Sequence, residues 1–131
     1  ANERIRFANI GIGGMGAKGV DFASREQIVA FADVDTAHAA GAIKKITDKF
    51  PDVKAYTDYR KLFDEVKDLD ACWVATPDHH HFPASVRALT AGLNLYCEKP
   101  LTHDLFEVRK LRDLAKAKNV VTQMGNQGHS C

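Results

Sequence analysis

A run of glycines between Ile10 and Gly19 constrains the fold of this chain more than any other feature of its 131 residues. Gly11, Gly13 and Gly16 have the spacing G-x-G-x-x-G, after an apolar stretch and before a segment with helical periodicity. In a strand–turn–helix unit, the first glycine permits a tight turn, the second lets a ligand approach the backbone, and the third lets the helix pack close to the sheet. The N–H groups at the helix start attract phosphate. The motif predicts a dinucleotide-binding turn, with a purely conformational use of the glycines as the alternative.

A second apolar stretch ends in a carboxylate, Asp33, which lies 22 residues after Gly11. At this position an acid accepts hydrogen bonds from the adenosine ribose hydroxyls of a bound dinucleotide. A carboxylate there repels the 2′-phosphate of NADP, and no arginine occurs among the next residues, Val34–Ala37. The sequence therefore favours NAD over NADP. The alternative for Asp33 is a solvated strand end.

Apolar stretches alternate with helical patterns along the chain, which is typical of βαβ units and a parallel sheet. Six strands are predicted, near residues 5–10, 28–32, 53–56, 70–75, 93–97 and 120–124, with five helices between them. This series predicts an α/β fold, a doubly wound parallel six-stranded sheet (Rossmann fold) in the order 3-2-1-4-5-6. Residues 1–131 are expected to form one dinucleotide-binding domain, with no second domain in this chain.

Helical spacing also predicts which side chains face the core. The first helix, near residues 15–24, is expected to bury Met15, Val20 and Phe22. The second begins at Asp35–Thr36 and presents its core face at Ala37, Ala40, Ile43 and Phe50.

The sequence also predicts where three helices begin or end. A third helix is capped by Asp58, the fourth ends at Gly92, and Asn119 closes the fifth in a left-handed conformation.

The composition is that of an ordinary globular protein, with 45% hydrophobic and 27% charged residues and a net charge of +1. The basic residues are interspersed with acids, so no nucleic-acid partner is predicted, and no apolar run is long enough to span a membrane. Cys72 and Cys97 lie in predicted strands and read as small buried hydrophobes, and with Cys131 they form no disulfide framework. The default location is cytoplasmic, and an exported form is the alternative if a signal peptide preceded Ala1.

Three polar segments follow strands four, five and six. They are residues 76–81, 98–100 and 125–129. Because the carboxyl ends of parallel strands share one edge of the sheet, these segments are expected on the same side as the glycine turn. The run His79–His81 suggests a metal site, but consecutive histidines point in different directions and no second cluster has zinc-like spacing. We therefore predict no metal.

Two of these segments carry a family resemblance. Residues Ala75–His81, reading ATPDHHH, and Ala91–Leu101, reading AGLNLYCEKPL, resemble the Gfo/Idh/MocA oxidoreductases, which are NAD(P)-dependent sugar, inositol and related dehydrogenases. The resemblance covers essentially the whole chain, and Glu98–Pro100 is its most specific mark. Residues Gln123–Ser130 look like a bacterial subgroup whose members are often exported, and some relatives of which use tightly held NAD for glycoside cleavage.

The resemblance implies a set of cofactor-binding residues, which follow the first, second, fourth, fifth and sixth strands. They are Gly11, Ile12, Gly13, Gly14, Met15 and Gly16 at the pyrophosphate, Asp33 at the adenosine ribose, Thr76, Pro77 and His81 beside the cofactor, Glu98 and Lys99 at the nicotinamide ribose, and Asn126 and Gln127 near the nicotinamide.

The resemblance also implies hydride transfer between the cofactor and a sugar, cyclitol or related hydroxyl substrate. Lys99 is implied to assist proton transfer at that hydroxyl, together with residues of a substrate domain that we expect this chain to lack. Lys99 as an ordinary surface lysine is the alternative. We expect the chain alone to bind the cofactor with little or no turnover.

Two other functions remain open. A nucleotide-sensing module could respond to the cofactor by self-association, which leaves a homo-oligomer as an open prediction. A methyltransferase using S-adenosylmethionine also has a glycine-rich turn and an acid after its second strand, but the six-strand pattern and Glu98–Pro100 argue against it.

Overall fold

The structure, a computed structural model, describes residues 4–13, 17–75, 78–97 and 105–124. These residues form a six-stranded parallel sheet in the order β3-β2-β1-β4-β5-β6. The strands are β1 (Arg6–Ile10), β2 (Gln27–Ala32), β3 (Lys54–Tyr56), β4 (Ala71–Val74), β5 (Asn94–Cys97) and β6 (Thr122–Met124). The helices are α1 (Ala17–Ala23), α2 (Ala40–Lys49), α3 (Tyr59–Glu65), α4 (Asp78–Thr90) and α5 (Leu105–Lys118). The predicted doubly wound topology is confirmed.

The first two helices cover one face of the sheet. Phe7 and Trp73 lie on that face and belong to one buried cluster with Val20 of α1 and Ile46 of α2. Each of these four side chains is at most 4% exposed. Fully burying an aliphatic or aromatic side chain of this size contributes about 1.5–3 kcal/mol, so this cluster holds α1 and α2 against the sheet.

The other face packs against α3, α4 and α5. Its cluster joins Ile10 of β1 to Leu62, Leu89 and Leu111, one from each of these helices. Because β4 is buried along its whole length, both faces of the sheet are covered at its centre. This is the two-sided burial that the continuous apolar sequence of β4 predicts.

Three predicted helix boundaries are confirmed. The side chain of Asp58 accepts a hydrogen bond from the N–H of Arg60 and caps α3. Gly92, with φ of +80°, follows the end of α4, and Asn119, with φ of +56°, follows the end of α5. Both residues adopt the left-handed conformation in which helices commonly end.

The start of α2 differs from the prediction. The helix begins at Ala40 rather than at Asp35, because residues 36–39 form a turn in which Asp35 Oδ1 accepts the N–H of His38. Ile43 and Phe50 are partly buried against the cluster of Phe7 and Trp73, as predicted. Ala37 and Ala40 are exposed, and Ala39 and Ile46 are buried instead. In α1, Val20 is buried as predicted, but Phe22 is 40% exposed.

The pairing of β1 with β2 contains one irregularity. Phe7 lies opposite Ile28, whereas Ala8 lies opposite Ala30, so Val29 is an extra residue in β2. Such a bulge inserts one residue into one strand of a pair. Beyond the bulge the register is regular, and Ile10 lies opposite Ala32. Asp33 is the residue that directly follows β2.

Cys72 is fully buried in β4. Burial raises the pKa of its thiol well above the ordinary value, which makes it a packing residue rather than a nucleophile.

Among the described residues, no helix is both long enough and apolar enough to cross a bilayer.

Candidate functional site

The candidate site lies at the carboxyl ends of β1 and β2, where the chain leaves the sheet in two adjacent loops. Gly11 directly follows β1 and has φ of +82°, a conformation that glycine adopts without the strain of a side chain. Its N–H donates to the carbonyl of Ala32 at 2.8 Å. Ile12 then buries its side chain completely. The strand end and the buried Ile12 therefore fix the start of the glycine turn.

Asp33 connects this turn to the end of β2. Its Oδ2 accepts the N–H groups of Ile12 at 2.9 Å and of Gly13 at 3.1 Å, and its Oδ1 accepts the N–H of Asp35 at 2.9 Å. The Asp33 N–H donates to the carbonyl of Tyr56, at the end of β3, at 3.1 Å. The carboxylate thus holds two loops together at one edge of the sheet.

Gly13 is enclosed by the loop that follows β2. A Cβ at this position would lie 2.8 Å from Cδ2 of His38 and 3.3 Å from Cα of Ala39. Contacts below 3.0 Å essentially never occur for real Cβ atoms. A side chain here would have to displace the imidazole of His38 and would crowd Ala39, which favours glycine independently of the ligand approach that the sequence predicted.

Four of the predicted cofactor-binding residues are fully described, and they lie together at the carboxyl ends of β1 and β2. They are Gly11, Ile12, Gly13 and Asp33. His81 lies in α4, but its side chain is outside the description. The other predicted contacts lie outside the described residues: Gly14, Met15, Gly16, Thr76, Pro77, Glu98, Lys99, Asn126 and Gln127.

The first and fourth strands also meet at this edge. The N–H of Ala75, directly after β4, donates to the carbonyl of Ile10 at 2.8 Å. The sheet order reverses between these two strands, and open α/β sheets bind ligands at such a switch point. The glycine turn therefore borders the place where this topology binds ligands.

The sequence motifs do not identify His38, whose ring lies beside Gly13. The signal in the sequence is a polar residue five positions after Asp33. In the described part of the chain, no group of three or more His, Cys, Asp and Glu residues could hold a metal ion.

Comparison with known proteins agrees with this geometry. A family model, GFO_IDH_MocA, described as the oxidoreductase family with an NAD-binding Rossmann fold, matches residues 5–126. A D-xylose 1-dehydrogenase (NADP(+)) from Hypocrea jecorina is 38% identical over 96 residues, which are 73% of this chain and 24% of that protein. An inositol 2-dehydrogenase from Corynebacterium glutamicum is 35% identical over 109 residues, 79% of this chain and 30% of that protein.

Among solved structures, the WlbA dehydrogenase from Thermus thermophilus, in complex with NAD and UDP-GlcNAcA, superposes with a TM-score of 0.80. It is 23% identical, and the match covers 92% of this chain and 41% of that one. This likeness supports the fold. The chain thus spans less than half the length of each of these three proteins. With residues 5–126 matched as its NAD-binding Rossmann domain, the chain belongs to the Gfo/Idh/MocA family of oxidoreductases.

Proposed function

We propose that this chain binds NAD at the carboxyl edge of β1, β2 and β4. It would form the cofactor half of a dehydrogenase that takes hydride from a hydroxyl-bearing carbon of a sugar or cyclitol, or returns hydride to the corresponding carbonyl carbon. The observation that carries the proposal is the carboxylate of Asp33, fixed beside the glycine turn by the N–H groups of Ile12 and Gly13. The substrate class is proposed from the xylose and inositol dehydrogenases to which the chain is similar.

The residues at this edge fit the adenosine half of a dinucleotide. A carboxylate has about four hydrogen-bond acceptor sites. Asp33 uses three of them for backbone N–H groups, two at Oδ2 and one at Oδ1. One site at Oδ1 is left, which suits a ribose hydroxyl. When bound, NAD supplies the hydride acceptor, and the proposed task of Asp33 is to orient the cofactor.

The preference for NAD over NADP rests on the same side chain. Because Asp33 is held by backbone N–H groups of two loops, it cannot turn away from a ligand without breaking those bonds. A 2′-phosphate would then meet a fixed negative charge, which weakens binding. The related D-xylose dehydrogenase is named as an NADP(+) enzyme, so cofactor choice is a property to measure in this chain.

Further roles are proposed from the family resemblance. Lys99 would assist proton transfer at the substrate hydroxyl, with Glu98 at the nicotinamide ribose. Residues outside this chain would complete the substrate site, because the related dehydrogenases are much longer. We therefore expect the 131-residue chain to bind NAD with little or no turnover.

The test is calorimetric titration of the purified chain with NAD and with NADP. We expect saturable binding of NAD and weaker binding of NADP. Replacing Asp33 with alanine should weaken NAD binding roughly tenfold or more, the effect of losing a charged hydrogen-bond acceptor. Asp48→Ala is the matched control, because this exposed carboxylate pairs with Lys44 on the outer surface of α2. Failure of the wild-type chain to bind either nucleotide would refute the proposal.

A further inference from the structure

Three residues of the loop after β2 converge on Gly13. The carboxylate of Asp33 accepts its N–H, the methyl group of Ala39 lies 3.4 Å from its Cβ position, and the imidazole of His38 lies 2.8 Å from the same position. Ala39 is buried, whereas His38 is exposed. The imidazole ring therefore lies against the glycine turn while remaining open to a ligand bound over that turn.

The backbone of His38 is fixed in this position by Asp35. Its N–H donates to Asp35 Oδ1 at 2.9 Å, and the N–H of Ala39 donates to the carbonyl of Asp35 at 3.1 Å. Asp35 is itself tied to Asp33 through its own N–H. The backbone of His38 is thus linked through Asp35 to the acid that contacts the glycine turn.

Two N–H groups at the start of the glycine turn already have partners within the protein. The N–H groups of Ile12 and Gly13 are both donated to Asp33. A phosphate beside Gly13 would therefore take its hydrogen bonds from donors other than these two. An imidazole ring carries an N–H donor in its neutral form and two in its protonated form. Among the described residues, His38 is the side chain of this kind that lies against the turn.

We propose that His38 is a cofactor-binding residue that donates a hydrogen bond to a phosphate of the bound dinucleotide. The proposal rests on the proposed function, since it requires a dinucleotide at the glycine turn. Two phosphates of such ligands lie near the adenosine ribose: the pyrophosphate, which NAD and NADP share, and the 2′-phosphate, which only NADP carries. The chemistry of the contact is the same in both cases, and the choice of ligand distinguishes them.

The experiment titrates four forms of the chain with ADP-ribose and with 2′-phospho-ADP-ribose, which lack the nicotinamide. The forms are wild type, His38→Phe, His38→Gln and Lys44→Gln. Phenylalanine keeps a ring against Gly13 but has no donor, and glutamine restores an N–H donor without a positive charge. Lys44→Gln removes an exposed cation from the outer surface of α2 and controls for a general change in charge. Thermal unfolding of each variant checks the fold.

Loss of one hydrogen bond should weaken binding about fivefold in His38→Phe, with part of the loss recovered in His38→Gln and none in the control. A loss for both ligands would identify the pyrophosphate as the partner, and a loss for the 2′-phosphorylated ligand alone would identify the 2′-phosphate. Unchanged binding of both ligands in His38→Phe, with the wild type binding normally, would overturn the inference while leaving the proposed function standing. Absence of binding in the wild type would overturn both.

Discussion

Gly19 of α1 and Trp73 of β4 lie so close together that no methyl group fits between them. A Cβ on Gly19 would lie 2.6 Å from Cγ of Trp73 and would overlap the indole ring. Trp73 is 4% exposed, and its ring stacks on that of Tyr96 with an angle of 2° between the planes. Because the indole is enclosed on both sides, moving it aside would cost packing energy. This contact therefore sets the distance from α1 to the sheet.

Gly19→Ala should therefore destabilise the chain by about 1–3 kcal/mol, the usual effect of overpacking. Gly41→Ala is the matched control, because Gly41 also lies in a helix but a Cβ there would meet nothing within 4 Å. That substitution should stabilise the chain by about 0.5–1 kcal/mol through helix propensity. Urea unfolding of both variants measures the difference, and equal stabilities would contradict the packing argument.

Asp33→Asn should destabilise the chain even without nucleotide. The three N–H groups that Asp33 accepts require both of its oxygens, whereas an amide has only one. At least one N–H would then face an NH₂ group, at a loss of about 1–3 kcal/mol. Asp48→Asn, at an exposed ion pair with Lys44, should change stability by less than about 0.5 kcal/mol. Thermal unfolding measures the stability of both variants. An Asp33→Asn chain as stable as wild type would contradict a stabilising role for this hydrogen-bond network.

Asn9 is a buried amide whose side-chain polar atoms find no hydrogen-bond partner among the described residues. Its side chain is 0% exposed on β1, and neither Oδ1 nor Nδ2 forms a bond within the described structure. Asn9→Val should raise the free energy of unfolding by about 1–2 kcal/mol, since valine has no polar group to desolvate. Asn94→Val should lower it, because Asn94 Oδ1 accepts the N–H of Val121 at 3.0 Å. Destabilisation by Asn9→Val in urea unfolding would show that the amide has a partner.

The stability of α3 should depend on pH through Asp58. Its hydrogen bond from the Arg60 side chain, followed by that from the Arg60 N–H, lowers the pKa of the carboxyl below its ordinary value of 3.8. Because the folded pKa is lowered, the stabilising contribution is present above the unfolded pKa and is lost as pH falls through the folded one.

Asp58→Asn separates charge from capping, since asparagine is also a good N-cap. We expect the variant to be less stable than wild type at neutral pH. The gap should begin to narrow near the ordinary pKa of 3.8 and should close as pH falls through the lower pKa of the folded chain. Chemical unfolding at a series of pH values measures the gap. A gap that stayed constant with pH would exclude the charge as its cause.

Much of the fold could be predicted from the sequence because its signals are local. The alternation of apolar strands with helical patterns specified the six-stranded order, and Asp58, Gly92 and Asn119 marked helix ends by the chemistry of their own side chains and backbones. Each strand, helix and helix end is decided within a few residues along the chain, and the strand order follows from their alternation because βα series of this kind wind in a common way.

The parts that could not be predicted depend on contacts between separate loops. The spacing of the motif predicted that Asp33 contacts a ligand. It did not predict that Asp33 accepts the N–H groups of Ile12 and Gly13. Likewise, the later start of α2 and the position of His38 follow from the turn that Asp35 caps. An Asp–Thr pair fits a helix start and a turn equally well, and only tertiary packing decided between them.

The extra residue Val29 determines where an insertion or deletion in this part of the chain can be tolerated. Side chains of a strand alternate between faces, so a shift of one residue reverses every one of them. Inserting a further residue between Val29 and Asp33, where β2 already has one extra residue, would turn the carboxylate away from the glycine turn. Changing the length of the loop at residues 24–26 would leave the pairing of Phe7 with Ile28, and everything beyond it, in place. Insertions among natural relatives that keep this acid should therefore be confined to the loop and absent from the strand.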